Sequence, residues 1–347
     1  MKSRFALASL FLLAVSPISK MAAQPLQKIT MVYPTRSAAS WPMFLAKEGG
    51  YYQKYGLDVN LVFAVHPGGV AMLVSGEGAE YNSSLEQAMQ AATKDGSFVI
   101  MGSSLNKGLF ALMGRKGLND IKEVKGKTIA VSQIGDAPYN YTVALLGKNG
   151  IGIRDVQWVP VGTDVNGRVA ALTTGRVDAT LLTAPSYFRL EETGYKVLAD
   201  LADHDDIFAS TTYMFSKATI QKNPKLPDQI IRAQAEAIKR FYDDKAFALK
   251  TYITYDKQKE EDMARIYDRY SKTNGFERIP FVLAGAISSV IAQQADQTIL
   301  AQFKAYDFHK VIDNSVIDRL IKEGFFEKTF GPGIKAEEDK KSKLAFR

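Results

Sequence analysis

Small polar residues and glycines recur where predicted strands pass into predicted helices. They are Ser37, Ser40, Gly68, Gly69, Ser83, Ser84 and Ser104 in the first part of the chain, and Thr163 and Thr183 in its centre. Backbone N–H groups and hydroxyls at helix starts can hold an anion or a carbonyl group. Serine and threonine also commonly cap helices, and the two roles are compatible because the cap position is the anion site. This chemistry suits a small polar ligand.

Aromatic and acidic residues occupy similar positions. Trp41, one of two tryptophans, begins a predicted helix and could stack on a planar ligand or belong to a core, and Tyr139 has the same two alternatives. Asp136 precedes a predicted helix, where an acid usually serves as a cap. If Asp136 instead faces a ligand, that ligand carries an amine or another donor. The sequence therefore does not predict a site built for a simple anion.

Residues typical of catalytic and metal sites are scarce. The chain has no cysteine, which excludes disulfides, thiolate catalysis and cysteine-ligated metals. The three histidines, His66, His204 and His309, lack metal-ligand spacing. His66 could touch a ligand, although a surface loop is the ordinary place for such a residue. With no nucleophile–base pair or phosphate loop in the sequence, we expect no cofactor, no metal and no enzyme activity.

The charge of the chain favours no particular partner. Its formal net charge is +7, and 41 basic against 37 acidic residues remain once Lys2, Arg4 and Lys20 are assigned to an export signal. The basic residues are scattered and not clustered with aromatic ones, so we expect no nucleic-acid binding. We expect the protein to be a monomer.

The first 23 residues are predicted to be a cleavable export signal. Lys2 and Arg4 precede an apolar run at residues 5–15, and Ala22 and Ala23 are small residues of the kind found at a cleavage site. The run is short for a membrane span, which needs ~20 residues, and a retained anchor is the alternative. A lipid-attached form would need a cysteine, so we expect a free periplasmic protein.

Strand and helix patterns alternate through the first two thirds of the chain, which predicts parallel sheets with helices on both faces. The stretch 41–54 is predicted to be helical with a break at Gly49 and Gly50. From residue 227 to 299 the pattern is helical. The predicted strands are residues 29–33, 57–63, 79–82, 98–103, 110–115, 128–132, 156–161, 179–183 and 211–216.

This order predicts two lobes. Residues 24–112 and 208–330 form the first lobe, and residues 113–207 form the second. The chain then crosses between lobes twice, and two crossing strands make a natural hinge. Residues 331–347 carry charges of both signs and are predicted to be a solvated, frayed tail.

Four segments in order resemble one protein family. They are FLAKEGGYY at 44–52 with YGLDV at 55–59, AMLVSGEGAEY at 71–81, VKGKTIAV at 124–131, and AALTTGRVDA at 170–179 followed by Ala184 and Pro185. The chain resembles the periplasmic solute-binding proteins of ABC importers, of the nitrate, sulfonate, taurine and pyrimidine-precursor (NMT1/THI5-like) type. The order and spacing of the four segments span from about residue 28 to residue 224.

The resemblance implies an α/β, two-lobed periplasmic-binding-protein fold of type II. Each lobe would be a mixed, mostly parallel sheet flanked by helices, with a two-strand hinge. It also implies a small organic solute held between the lobes and delivered to an ABC permease. Two alternatives stay open: a sensor component that presents its ligand to a receptor, and an enzyme similar to the pyrimidine-precursor synthases. Those synthases rely on a cysteine-rich iron-binding motif, which this chain lacks.

Overall fold

The computed structural model describes residues 25–106, 109–162, 165–203 and 211–347. The predicted export signal, Thr163 and His204 lie outside the described residues. Within these ranges no helix has both the length and the apolar character needed to cross a membrane.

Ten strands form across the described residues. They are β1 Gln27–Tyr33, β2 Leu57–Phe63, β3 Glu80–Ser83, β4 Phe98–Leu105, β5 Phe110–Gly114, β6 Thr128–Val131, β7 Gln157–Pro160, β8 Ala179–Thr183, β9 Lys196–Asp200 and β10 Thr211–Ser216.

Sixteen α-helices accompany these strands in the same ranges. They are α1 Trp41–Glu48, α2 Tyr51–Lys54, α3 Gly68–Ser75, α4 Leu85–Lys94, α5 Ala137–Lys148, α6 Val165–Thr173, α7 Ser186–Glu192, α8 Lys217–Lys222, α9 Leu226–Asp243, α10 Lys245–Tyr255, α11 Glu260–Thr273, α12 Ala284–Gln293, α13 Gln297–Ala305, α14 Ser315–Lys322, α15 Phe325–Phe330 and α16 Lys335–Leu344. The predicted break between α1 and α2 is confirmed, and Gly50 adopts a left-handed conformation there with φ 71°.

The strands form two sheets with the same pattern. The first sheet has the order β2-β1-β3-β10-β4, and the second has the order β7-β6-β8-β5-β9. In each sheet three parallel strands are followed by one antiparallel strand, β10 or β5, and then by an edge strand. The chain passes from the first sheet to the second between β4 and β5, and returns between β9 and β10. This confirms the predicted fold class of two mixed, mostly parallel sheets flanked by helices.

Strand β9 was absent from the sequence prediction. It is a five-residue edge strand that pairs with β5 alone, and its three central residues are half-buried. The sequence Lys-Val-Leu-Ala-Asp does not alternate between apolar and polar residues, so it gives no strand signal. The pairing with β5 determines its conformation.

The predicted frayed tail is wrong. Residues Lys335–Leu344 form helix α16, and Ile334 and Ala345 at its two ends are buried. Beyond the helix, the backbone N–H of Phe346 donates to the carbonyl of Val282 at 2.9 Å. Mixed charges are typical of a solvated helix face as well as of a tail, so composition alone did not separate the two.

Candidate functional site: the cleft between the sheets

A cleft of about 670 Å³ lies between the two sheets, at the ends of the strands that lead into helices. We call the first sheet with the helices around it the first lobe, and the second sheet with its helices the second lobe. Pro34 after β1, His66 after β2 and Gln87 in α4 line the cleft from the first lobe. Asp136 before α5 and Arg168 in α6 line it from the second lobe. Ligands of open α/β sheets bind outside the carboxyl ends of the strands, so this cleft is the candidate site.

His66 belongs to a hydrogen-bonded wall of the cleft. Its ring packs edge-on against Tyr81, with centroids 4.8 Å apart, and its Nε2 lies 3.3 Å from the hydroxyl of Ser83. Burial lowers the pKa of His66 to about 4, and a hydrogen bond with the Gln87 side chain opposes this shift only in part. The imidazole is therefore neutral at neutral pH.

The opposite wall contains one acid and one base, and both have protein partners. Asp136 accepts backbone N–H groups of Tyr139 at 2.9 Å and Gln133 at 3.1 Å, so it caps α5. Burial raises the pKa of Asp136 in spite of these bonds and of the nearby Arg168 charge. Arg168 is 4% exposed and donates to the carbonyl of Leu181 at 3.1 Å and to the hydroxyl of Ser132.

Glu86 joins the two lobes beside the cleft. This fully buried residue of α4 accepts a hydrogen bond from Asn140 of α5 and one from Gln294, after α12, at 3.4 Å. Asn140 in turn accepts the N–H of Ala295 at 3.2 Å. Burial, assisted by the charge of Asp136, raises the pKa of Glu86 to about 8.

A second set of contacts between the lobes lies along α11. Asp262, Arg265 and Arg269 have the spacing of one helix face, and each pairs with a charged residue of α7 or β9. Arg189 reaches Asp262 at 2.6 Å, and Asp200 reaches Arg269 at 2.6 Å. These ion pairs join the lobes at a place separate from the contacts of Glu86.

Trp41 does not face the cleft, contrary to the stacking alternative. Its side chain is 0% exposed, and its indole N–H donates to the carbonyl of Ala248 at 3.0 Å. The ring packs edge-on against Tyr252 and Phe241, with centroids 4.8 and 5.0 Å away. Trp41 is a core residue of the first lobe.

Three more predicted site residues lie in the interior. Tyr139 is 4% exposed and packs on Trp158, with ring centroids 4.6 Å apart. Ser40 is buried and donates to the carbonyl of Thr35 at 2.7 Å. Ser104 is buried in β4. The hydroxyls and the ring of these residues are not presented to the cleft.

The remaining predicted residues that the structure describes are not among those that line the cleft, and they have different roles. Ser84 caps α4, and Ser83 bonds to His66. Gly68 and Gly69 form the first turn of α3. Ser37 caps the 3₁₀ helix Ala38–Ser40 and, with Thr183 and Tyr270, lines a separate cavity of about 20 Å³.

Sequence reasoning missed the role of several polar side chains. Gln87, Gln90 and Arg168 line the cleft, and none of them was a candidate. Gln87 and Gln90 are three residues apart on α4, so helical spacing from the Ser84 cap could have placed them on one face. No local signal marks Arg168.

A family model described as NMT1/THI5 like matches residues 37–246. The chain belongs to the NMT1/THI5-like family. Among curated proteins, this NMT1/THI5-like chain is similar to 4-amino-5-hydroxymethyl-2-methylpyrimidine phosphate synthase of Schizosaccharomyces pombe, with 30% identity over 125 residues. That alignment covers 31% of the chain and 36% of the synthase, so it spans little more than a third of the curated relative.

Solved structures share the fold over nearly their whole length. The periplasmic sulfonate-binding protein SsuA of Methylobacillus flagellatus KT has a TM-score of 0.69 at 17% identity, with 87% of this chain and 96% of SsuA covered. The periplasmic nitrate-binding protein NrtA of Synechocystis PCC 6803 has a TM-score of 0.65 at 13% identity, with 90% and 91% covered. At such identities the likeness shows the periplasmic-binding-protein fold alone.

Proposed function

We propose that this NMT1/THI5-like protein is an exported solute-binding protein. It captures a small organic solute between its lobes in the periplasm, acts as a monomer without catalysis, and delivers the solute to an ABC-type permease. The observation that carries the proposal is the cleft of about 670 Å³, because its walls come from both sheets. A solute that contacts both walls favours the arrangement in which the lobes are together.

Two further observations support this proposal. The lobes contact each other through Glu86 and Asn140 on one side and through the ion pairs of α11 on another. The solved relatives with the same fold include periplasmic sulfonate-binding and nitrate-binding proteins. Capture by closure of two lobes is a mechanism that this architecture supports.

The test uses the absence of cysteine from the chain, since two introduced cysteines are then the labelling sites. We suggest Glu77→Cys in the first lobe and Lys122→Cys in the second, both exposed positions, labelled for energy transfer. Addition of a small-molecule extract of the source cells should change the distance between the labels. A distance that no extract alters, in a protein that melts cooperatively, would refute capture by closure.

An enzyme is the second candidate, and the curated synthase relative favours it. The chain lacks the cysteines on which those synthases rely. Incubation of the purified protein with iron and a small-molecule extract of the source cells, followed by mass spectrometry for a pyrimidine product, separates the two functions. The sensor alternative is tested by genomic neighbours: permease genes favour import, and a kinase gene favours sensing.

A further inference from the structure

We infer that the cleft takes an uncharged polar solute and that His66 is the residue that recognises it. The inference rests on the proposed function, because it assigns a ligand class to the same cleft. Its basis is the arrangement of charges and hydrogen-bonding groups on the two walls.

The position of His66 is fixed by its neighbours. Nε2 of His66 contacts the hydroxyl of Ser83 at 3.3 Å, and the ring also forms a hydrogen bond with the side chain of Gln87. Because a neutral imidazole carries one ring hydrogen, His66 has one donor nitrogen and one acceptor nitrogen. His66 thus offers an uncharged hydrogen-bonding ring to the cleft.

The charged groups of the opposite wall balance each other. Asp136 and Arg168 carry opposite charges, interact electrostatically and both line the cleft. Both carboxylate oxygens of Asp136 accept backbone N–H groups, and the guanidinium of Arg168 has Leu181 and Ser132 as partners. An ionic solute would have to compete with these bonds, at a high cost in a buried site.

Glu86 adds little charge to this balance near neutral pH. Its carboxyl interacts electrostatically with Asp136, and its pKa of about 8 keeps it mostly protonated there. Lys94 also lines the cleft, but it is exposed at the end of α4, where an ammonium group is solvated and contributes little.

Amide groups supply the remaining polar surface. Gln87, Gln90 and Gln133 line the cleft, and each offers both donors and an acceptor. Val70 and Ile134 provide apolar surface beside them. A cleft of about 670 Å³ with such walls suits an uncharged solute that carries both donors and acceptors and has an apolar face.

The first test separates charge classes without knowledge of the solute. A small-molecule extract of the source cells is measured for thermal stabilisation of the protein before and after treatment with mixed-bed ion-exchange resin, which removes anions, cations and zwitterions. We expect stabilisation to survive the treatment. Loss of stabilisation would overturn the inference and leave solute binding intact. If neither extract stabilises the protein, the proposed function fails with it.

The second test assigns recognition to His66. With the deionised extract as probe, His66→Ala should need about tenfold more extract for half-maximal stabilisation, since one hydrogen bond in a desolvated site is worth roughly that factor. His309→Ala is the matched control, because His309 is exposed and lies outside the cleft. The stabilisation of each variant is measured from its own melting temperature without extract, so that a change in intrinsic stability does not enter the comparison. Equal responses of the two variants would overturn the role of His66.

Discussion

Glu86 retains its proton at a pH at which most glutamates have lost theirs. Its pKa rises from 4.5 to about 8 because burial, and secondarily the Asp136 charge, disfavour the carboxylate. The raised pKa means that folding takes up a proton between these two values. The stability that Glu86 contributes is therefore complete below pH 4.5 and is lost as the pH rises through about 8.

The Glu86→Gln substitution should flatten this dependence. Glutamine keeps the shape and the acceptor for Asn140 but cannot ionise, so the variant should gain roughly a few kcal/mol of stability relative to the parent as the pH rises. Thermal unfolding measured from pH 4.5 to 8.5 checks this. Glu77→Gln, at an exposed position, is the control. If the melting temperatures of the parent, Glu86→Gln and Glu77→Gln fell in parallel as the pH rises, Glu86 would not be the group responsible.

Trp41 provides a second prediction at this scale. Trp41→Phe removes the hydrogen bond to Ala248 and part of the packing on Tyr252 and Phe241. We expect the free energy of unfolding to fall by about 2 kcal/mol, while solute affinity stays close to that of the parent. Urea unfolding measures the first quantity and extract titration the second. A large loss of solute affinity with an unchanged free energy of unfolding would instead indicate that Trp41 contacts the solute.

At the scale of elements, helix α3 positions the wall that contains His66. A Cβ atom added to Gly69 would lie 2.5 Å from the ring of Tyr81, which itself packs on His66. The same addition at Gly68 meets Ala64 at an ordinary 3.7 Å. Gly69 therefore packs tightly against Tyr81, whereas the adjacent Gly68 has room for a side chain.

Gly69→Ala should consequently be the more harmful of the two substitutions. We expect it to cost about 1–3 kcal/mol through overpacking and to weaken solute binding by displacing Tyr81 and His66. Gly68→Ala, on the same first turn, is the matched control and should change neither property appreciably. Thermal unfolding and extract titration of both variants provide the comparison. Equal changes in stability and in solute binding for the two variants would mean that the close contact between Gly69 and Tyr81 does not determine how α3 packs.

Local sequence patterns predicted most elements of the fold and few contacts of the site. Strands such as β2 alternate along the chain, so neighbouring residues carry their signal. The burial of Trp41 depends on Phe241 and Tyr252, some 200 residues away, and that of His66, in the connection after β2, depends on Tyr81 in β3. Such contacts depend on how the elements pack, which no short pattern encodes. Strand β9 and helix α16 were not predicted either, because their formation also depends on contacts with distant parts of the chain.

At the scale of the whole molecule, helix α11 connects the lobes. Its ion pairs differ in exposure: Asp262 and Asp200 are buried, whereas the side chain of Arg189 is 43% exposed. Loss of a partner leaves a buried carboxylate without its counter-charge, which costs more than loss of a surface pair. These contacts therefore favour the arrangement in which the lobes are together.

Arg189→Ala should shift the molecule towards a more open form. We expect a loss of about 1 kcal/mol in stability, discounted for the exposure of the arginine, and a larger radius of gyration in small-angle scattering without solute. Arg240→Ala is the control, because Arg240 pairs with Asp244 within the first lobe. If both variants scatter like the parent, the α11 pairs do not hold the lobes together.

The position of β10 has a consequence for how the chain is made. This strand is the tenth in sequence, yet it lies between β3 and β4 in the first sheet. Until residue 216 has emerged, β4 lacks its neighbour in the sheet, whereas all strands of the second sheet come earlier. Synthesis from the N-terminus would thus complete the second sheet while the first still exposes two strand edges, and unpaired edges invite aggregation. The chain is therefore most prone to aggregation after it has passed to the second sheet and before it returns, because the first sheet then still lacks β10.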